Sequence, residues 1–378
     1  MRIAYFSSVL NHHQIEFCDN MYRIHGDEFT FVSTMDIEQQ RIALGYKLFT
    51  RPYNLLMHIS DANKQKAKEL FQNADIVILG VLLEEWLQQR LKSGKITFLH
   101  KERLFKQKPS LYWRLRCQMF VIREYWPHRS KPFYMLAASA YSLADYRSLG
   151  FFVGKTFAWG YFPPFHKQNI QQLNAQKQGE ELRIFWAGRT LEWKNPQFAI
   201  YAADHLRTKG IRFHLHLAGN GPLDEKLKNL VNSLRLNDCV TLCGALPPDR
   251  IREYMERANI YLFTSNREEG FGAVLTEAMN SACAVIASAT AGGTNLLIRD
   301  RYNGLVYHHD SLEELFSRLD EFCENRRMME DIGQNAYATI RDEQNASVAA
   351  ERFSAVVQAM YNNVDFPQYA DGPMRLMK

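Results

Sequence analysis

Along the chain, short apolar runs alternate with longer segments in which apolar residues recur at helical spacing. This is the signature of βαβ units: strands covered on both faces read as continuous apolar runs, and the crossover helices carry one apolar face. In the first half, strands are expected at Arg2–Val9, Glu28–Ser33, Ala74–Leu79, Lys95–His100, Phe133–Ala138 and Lys155–Trp159. Helices are expected at Asp61–Phe71 and Leu83–Leu91. The stretch Pro163 to Leu182 is polar and rich in Gln and Asn, and reads as a linker. The alternation then restarts, with strands near Leu182–Ala187, Phe213–Ala218, Val240–Cys243, Ile260–Thr264 and Ala284–Ala287. Helices follow at Ser311–Glu324, Arg327–Ala338 and Ala346–Tyr361, and the residues after Asn362 read as a loose tail.

The pattern predicts an α/β protein of two Rossmann-like, doubly wound parallel-sheet domains facing across a cleft. Their expected bounds are 1–165, a linker at 166–181, a second domain at 182–345, and a helix with tail at 346–378 that packs back toward the first domain. The carboxyl ends of parallel strands bind ligands in such sheets.

Composition narrows the class. The 378 residues are 46% hydrophobic, enough for sizeable cores, and a net charge of +5 gives no global argument for nucleic acid. The six cysteines, Cys18, Cys117, Cys239, Cys243, Cys283 and Cys323, are scattered, which fits free thiols in a reducing cytoplasm. No apolar run is long enough for a membrane span, and the opening MRIAYFSSVLNHH alternates like a strand rather than a leader.

The segment NREEGFGAVLTEAMNSACAVIAS, Asn266 to Ser288, carries the most chemistry. A strand ends at Ser265, a Gly270-Phe271-Gly272 turn follows, and a helix starts near Ala273. That layout offers free backbone N–H groups, at Ala273 and Val274 among others, to an anion. The glycines let backbone approach a ligand closely. Glu277, one turn into the helix, can accept hydrogen bonds from vicinal hydroxyls such as those of a ribose. Glu269, before the turn, lies nearer the sugar side. The plain alternative is a solvated Glu269 and a Glu277 that complements the helix dipole.

This segment resembles the signature of the retaining family 4 glycosyltransferases of the GT-B fold. The match runs through Glu269, Gly270-Phe271-Gly272, Glu277-Ala278-Met279, Val285-Ile286-Ala287-Ser288 and Gly292-Gly293. Ala282 stands where a Gly is usual, Ala284 where a Pro is usual, and Leu296 where many members carry Glu. Three further segments match in order. FWAGRTLEWKNP supplies Gly188 and the Arg189…Lys194 pair, which the resemblance implies hold the donor diphosphate. LHLAGNGPLDEKL supplies Gly219 in a Gly-x-Gly-Pro turn, and VTLCGALPP places Gly244 near the nucleotide base. The resemblance implies front-face transfer, with Arg189 and Lys194 stabilising the leaving group, Glu269 positioning the sugar and Glu277 gripping the ribose. It implies a UDP-sugar by preference, no metal or other cofactor, and an acceptor on a glycan or lipid carrier in surface polysaccharide assembly.

The first domain of such enzymes holds the acceptor. Asn11, His12 and His13 follow the first strand where many members have a Gly-Gly loop, and are acceptor-side candidates; an N-cap Asn with exposed histidines is the plain alternative. His100 ends a strand where many members carry a His near the transferred sugar, and a strand-end His without that role is equally open. Between Trp86 and Phe133, Arg and Lys far outnumber acids and alternate with aromatics, while Leu111, Leu115, Met119 and Ile122 recur at helical spacing. A peripheral contact with an anionic membrane through 86–133 fits this segment best, at the inner face of the cell membrane. RNA is a second partner class, not favoured here, and a core-facing helix is a third reading. His214, His216, Cys239 and Cys243 could share strand faces as a zinc site, but strands this apolar more often serve a core.

Two other functions stay open: a sugar-nucleotide 2-epimerase on the same fold, and a non-catalytic nucleotide-sugar-binding protein. Incubated with donor alone, a transferase is expected to yield no 2-epimer, which chromatography of the sugar product checks.

Overall fold

Apolar runs become strands here because β-branched and aromatic side chains pack best on a pleated surface covered on both faces. In the computed structural model, which describes residues 1–36, 50–308 and 311–378, these runs gather into two parallel sheets. The chain divides into two units, Met1–Pro164 with Gln344–Lys378, and Phe165–Glu343.

The first unit runs β1 Ile3–Ser7, α1 Ile15–His25, β2 Phe29–Ser33, β3 Asn54–Leu56, α2 Asp61–Asn73, β4 Ile76–Leu79 and α3 Glu84–Ser93. It continues through β5 Ile96–Lys101, α4 Leu111–Glu124, β6 Phe133–Ala137, α5 Ser142–Arg147 and β7 Thr156–Ala158. Among the described residues its sheet has the order β3-β2-β1-β4-β5-β6-β7, all parallel, with Ile3 facing Phe29 on one side and Ile76 on the other. The order reverses between β1 and β4.

The second unit runs α6 Ile170–Gln176, β8 Leu182–Ala187, α7 Pro196–Thr208, β9 Phe213–Ala218, α8 Asp224–Ser233, β10 Val240–Gly244 and α9 Pro248–Arg257. Then come β11 Ile260–Phe263, α10 Ala273–Asn280, β12 Ala284–Ser288, α11 Thr294–Leu297, β13 Leu305–Tyr307, α12 Leu312–Glu324 and α13 Arg326–Asp342. Its sheet order is β10-β9-β8-β11-β12-β13, reversing between β8 and β11. The last helix, α14 Ala346–Tyr361, returns to the first unit. Its Phe353 packs edge-on to Phe17 and Phe98, and Ser354 Oγ meets His25 Nε2 at 2.8 Å.

Three sequence readings change. The stretch read as a linker contains α6, whose N-cap Asn169 side chain accepts from the Gln172 N–H and whose Leu173 packs with Ala282 and Tyr337. One apolar anchor and one cap suffice for so short a helix, and neither stands out in a polar sequence. The tail after Asn362 is not loose. Phe157 and Leu376 form an antiparallel bridge, the Ala158 N–H donates to the Arg375 carbonyl at 2.8 Å, and Met374 is buried. The tail thereby covers the otherwise open edge of β7. Arg90, counted from the sequence in the basic surface, is fully buried. It donates to Thr97 Oγ1 and to the carbonyls of Phe71, Ala74, Asp75 and Ile96, and so satisfies backbone groups where α2, β4 and β5 meet. The short strands β3 and β13 are not anticipated, since three residues make no readable alternation.

Because those carbonyls have no water to replace the guanidinium, Arg90→Ala is expected to cost about 3–5 kcal/mol of unfolding free energy, measured by urea titration.

Candidate active site

In the second unit, the reversal of strand order leaves a crevice at the carboxyl ends of β8 and β11. Two chain segments enter it. After β8 the chain turns tightly through Glu192–Lys194 and Asn195, which takes a left-handed backbone (φ 47°) before Pro196 starts α7. After β11 it runs through Ser265 and Glu269 into α10. The two are stitched together. Trp186 Nε1 donates to Thr264 Oγ1 at 2.8 Å, Thr264 Oγ1 donates to the Lys194 carbonyl at 2.7 Å, and the Asn266 N–H donates to the Trp193 carbonyl at 2.8 Å.

That frame brings Lys194 and Glu269 into an ion pair through Nζ and Oε2. Ser265 Oγ donates to the same carboxylate oxygen at 3.1 Å, and the ammonium lies 4.6 Å from the centre of the Trp193 ring. Glu269 is 7% exposed. Two charges removed from water are a net expense unless geometry and further hydrogen bonds compensate, so a pair held this firmly suggests a use beyond stability. The sequence had assigned the two residues to separate tasks, diphosphate and sugar; here they touch.

The glycines answer a steric demand. Gly219 has φ 143°, and a Cβ there would lie 1.7 Å from the Gly188 carbonyl oxygen. The Gly219 N–H donates to the Gly244 carbonyl at 2.7 Å. Gly188, Gly219 and Gly244, distant in sequence, thus line up at the ends of β8, β9 and β10. Gly272 has φ 85°, and a Cβ on it would run into the Phe263 ring at 2.3 Å. The Gly270-Phe271-Gly272 turn is held by Gly292 N–H to the Glu269 carbonyl and Gly293 N–H to the Phe271 carbonyl, each 3.0 Å. No side chain caps α10 at Gly272, so the amides of Ala273 and Val274 are available to an anion.

Glu277 stands one turn into α10, half-buried, and burial raises its carboxyl to about 7, with Arg252 pulling slightly the other way. Arg189 is exposed and has no ion pair among the described residues. Of the departures from the family pattern, Ala284 has a local reason. The Ala284 N–H donates to the Asn259 carbonyl at 2.9 Å, a bond proline would lose. Ala282 holds a left-handed conformation (φ 50°) at the end of α10, where buried Lys177 Nζ donates to the Ser281 and Ala282 carbonyls at 2.7 and 2.6 Å. Lys177, missed from sequence, is the cation that caps this helix.

The acceptor-side candidates lie in the first unit and form their own cluster. Asn11 opens the turn after β1, its Oδ1 accepting from the His13 N–H at 2.9 Å. The rings of His12 and His13 lie 3.7 Å apart, and burial with mutual repulsion lowers His13 to about 3. His13 and His100 both approach the Tyr161 ring, at 6.0 and 5.5 Å. His100 is buried at the end of β5, lowered to about 3, and its Nδ1 meets Tyr5 Oη at 2.8 Å. Gln14, Tyr5 and Tyr161 complete this cluster. His214 and His216 share a face of β9 with rings 4.5 Å apart, but His214 Nε2 meets Thr241 Oγ1. Among the described residues no three His, Cys, Asp or Glu side chains gather to hold a metal.

Residues 167–339 match the family model for glycosyl transferases group 1. An uncharacterized glycosyltransferase of Methanocaldococcus jannaschii is 31% identical over 34% of this chain and 35% of its own. The amylovoran biosynthesis glycosyltransferase AmsK of Erwinia amylovora is 27% identical over 51% of this chain and 48% of its own. These matches span about a third to a half of those relatives' lengths. The crystal structure of Anabaena Alr3699/HepE in complex with UDP superposes with a TM-score of 0.69 at 15% identity, covering 95% of this chain and 100% of that one. The fold is GT-B, as the motifs imply.

The raised carboxyl of Glu277 sets a pH dependence. The folded state holds the proton up to about pH 7 while an unfolded chain releases it near 4.5, so its contribution is most favourable below 4.5 and is lost as pH rises through 7. Glu277→Gln is therefore expected to stabilise the protein by roughly 2 kcal/mol at alkaline pH and hardly at all in acid, read by thermal melts.

Proposed function

We propose that the protein is a retaining glycosyltransferase that moves a sugar from a nucleoside diphosphate sugar, UDP-linked by preference, to an acceptor hydroxyl. The observation that carries this reading is the meeting, past the carboxyl ends of β8 and β11, of the Lys194–Glu269 ion pair with the uncapped start of α10, where a Cβ on Gly272 would lie 3.4 Å from Glu269 Cγ. Negative charge grows on the diphosphate as the glycosidic bond breaks, and fixed positive charge lowers that barrier. Arg189, Lys194 and the amides of Ala273 and Val274 supply it, so this reading calls for no metal. Arg189 meets two phosphate oxygens at once; Lys194, held by Glu269, acts as a positioned point charge. Glu269 orients the sugar and Glu277 accepts from the ribose hydroxyls.

Two comparisons support the donor and the setting. The Anabaena protein of the same fold is solved with UDP, and the Erwinia relative is named for amylovoran biosynthesis. The acceptor in this reading is a glycan or a lipid-linked glycan, met at the cytoplasmic face of the cell membrane. Retention follows from front-face attack, with the departing phosphate taking the acceptor proton. The transition state is oxocarbenium-like, and no carboxylate is needed as a covalent nucleophile.

Lys194→Ala or Glu277→Ala is expected to lower turnover of UDP-glucose at least a hundredfold while circular dichroism stays unchanged. Turnover near that of the parent in either variant would refute the assignment. Hydroxyl donors stabilise the Glu277 carboxylate, so binding of UDP-glucose near pH 6 should release protons, detectable by calorimetry in buffers of different ionisation enthalpy.

A further inference from the structure

The turn that carries Arg189 is fastened to a third segment, the turn after β9. Arg189 follows Gly188 at the end of β8, and a Cβ at Gly188 would lie 3.9 Å from Lys194 Cδ, so this backbone runs beside the paired lysine. It is tied down on both sides of Arg189. The Gly188 N–H donates to the Ala218 carbonyl at 3.0 Å, and the Thr190 N–H donates to the Asn220 carbonyl at 3.1 Å. The Thr190 carbonyl accepts in return from the Leu223 N–H at 3.2 Å. A Cβ at Gly221 would stand 2.7 Å from Thr190 Oγ1 and 2.9 Å from the Thr190 carbonyl oxygen, so the two turns meet backbone to backbone.

Asp224 closes this contact. It is the first residue of α8, and its Oδ1 accepts the Thr190 hydroxyl. The Gly221 N–H donates to the same carboxylate, at 3.0 Å to Oδ1 and 3.1 Å to Oδ2. Thr190 is 1% exposed, so its hydroxyl has no water to turn to if the carboxylate is removed. Lys226 and Glu192 bridge the same two segments at 3.2 Å, but both are exposed and add little. Only the Arg189 side chain is left outside this framework, exposed to solvent. A planar guanidinium that meets two phosphate oxygens at once demands a defined approach, and a fixed backbone supplies it at less cost in side-chain freedom.

We propose that Asp224 is a positioning residue: by clamping Thr190 against Gly221 it aims Arg189 at the donor diphosphate without touching the donor itself. The assignment rests on the transfer reading, in which Arg189 binds that diphosphate. The clamp and bare electrostatics differ in sign. Deleting a carboxylate beside an anion site removes repulsion and tightens anion binding, whereas deleting the clamp loosens it.

The test compares UDP, titrated by calorimetry, with uridine, titrated by NMR. It uses the full chain as parent, Asp224→Ala, Asp224→Asn, Arg189→Ala, and the double variant carrying both alanines. Arg189→Ala is expected to weaken UDP binding roughly thirtyfold and Asp224→Ala roughly tenfold. The double variant should lose no more than Arg189→Ala alone, because Asp224 acts only through Arg189. Asp224→Asn keeps a carbonyl oxygen for both hydrogen bonds and should stay within about twofold of the parent. Uridine, which lacks the diphosphate, should bind Asp224→Ala as it binds the parent. UDP binding by Asp224→Ala that equals or exceeds the parent's overturns the proposal. So does an equal loss for uridine, or additive losses in the double variant. A parent that binds UDP no more tightly than uridine overturns the transfer reading along with it.

Discussion

The pairing of Lys194 with Glu269 at the strand-order reversal is the interaction on which the second unit's chemistry turns. It joins the turn after β8 to the loop after β11, the two segments that a doubly wound sheet always leaves facing a crevice. A cation and a carboxylate this far out of water do little for stability by themselves. Their surroundings explain how they persist: Ser265 satisfies the carboxylate, Trp193 lies beneath the ammonium, and Thr264 fastens the backbone of Lys194. The pair is a charge held ready and partly offset, which suits a group that must answer a diphosphate without repelling the rest of its site.

Around it, the constraint is distance. Backbone turns at the ends of β8, β9 and β10 approach so closely that only glycine fits at Gly219, and Phe263 leaves no room for a side chain at Gly272. Close backbone is what exposes amide N–H groups to a ligand. The same turn starts α10 without a side-chain cap, leaving its first amides to the crevice, while Lys177 closes the other end on the carbonyls of Ser281 and Ala282. The helix is thus finished at its carboxyl end and left open where an anion can be held.

The first unit depends on a different economy of polar groups. Arg90 ties together the carbonyls at the base of its sheet, and the returning C-terminal segment supplies α14 to one face and an antiparallel cover to the edge of β7. At the opposite ends of its strands, Gln14, Tyr5 and His100 form a buried chain of hydrogen bonds.

What the sequence determined by itself was whatever depends on near neighbours. The apolar runs of Leu182–Ala187 and Phe213–Ala218 coincide with strands, Ala346–Tyr361 with a helix, and the spacing of Glu269, the glycine turn and Glu277 with a strand-loop-helix corner. Burial on both faces and helical periodicity write such elements directly into residue order. Only the tertiary structure decided the long-range matters. The ion pair spans residues 75 apart in sequence, Arg90 proved interior though its neighbours are basic and exposed, and the tail found an edge to cover. The stripe of α4 shows the limit most plainly. Periodicity fixes that Leu111, Leu115, Met119 and Ile122 share a face, but packing leaves that face exposed, which corrects the core-facing reading.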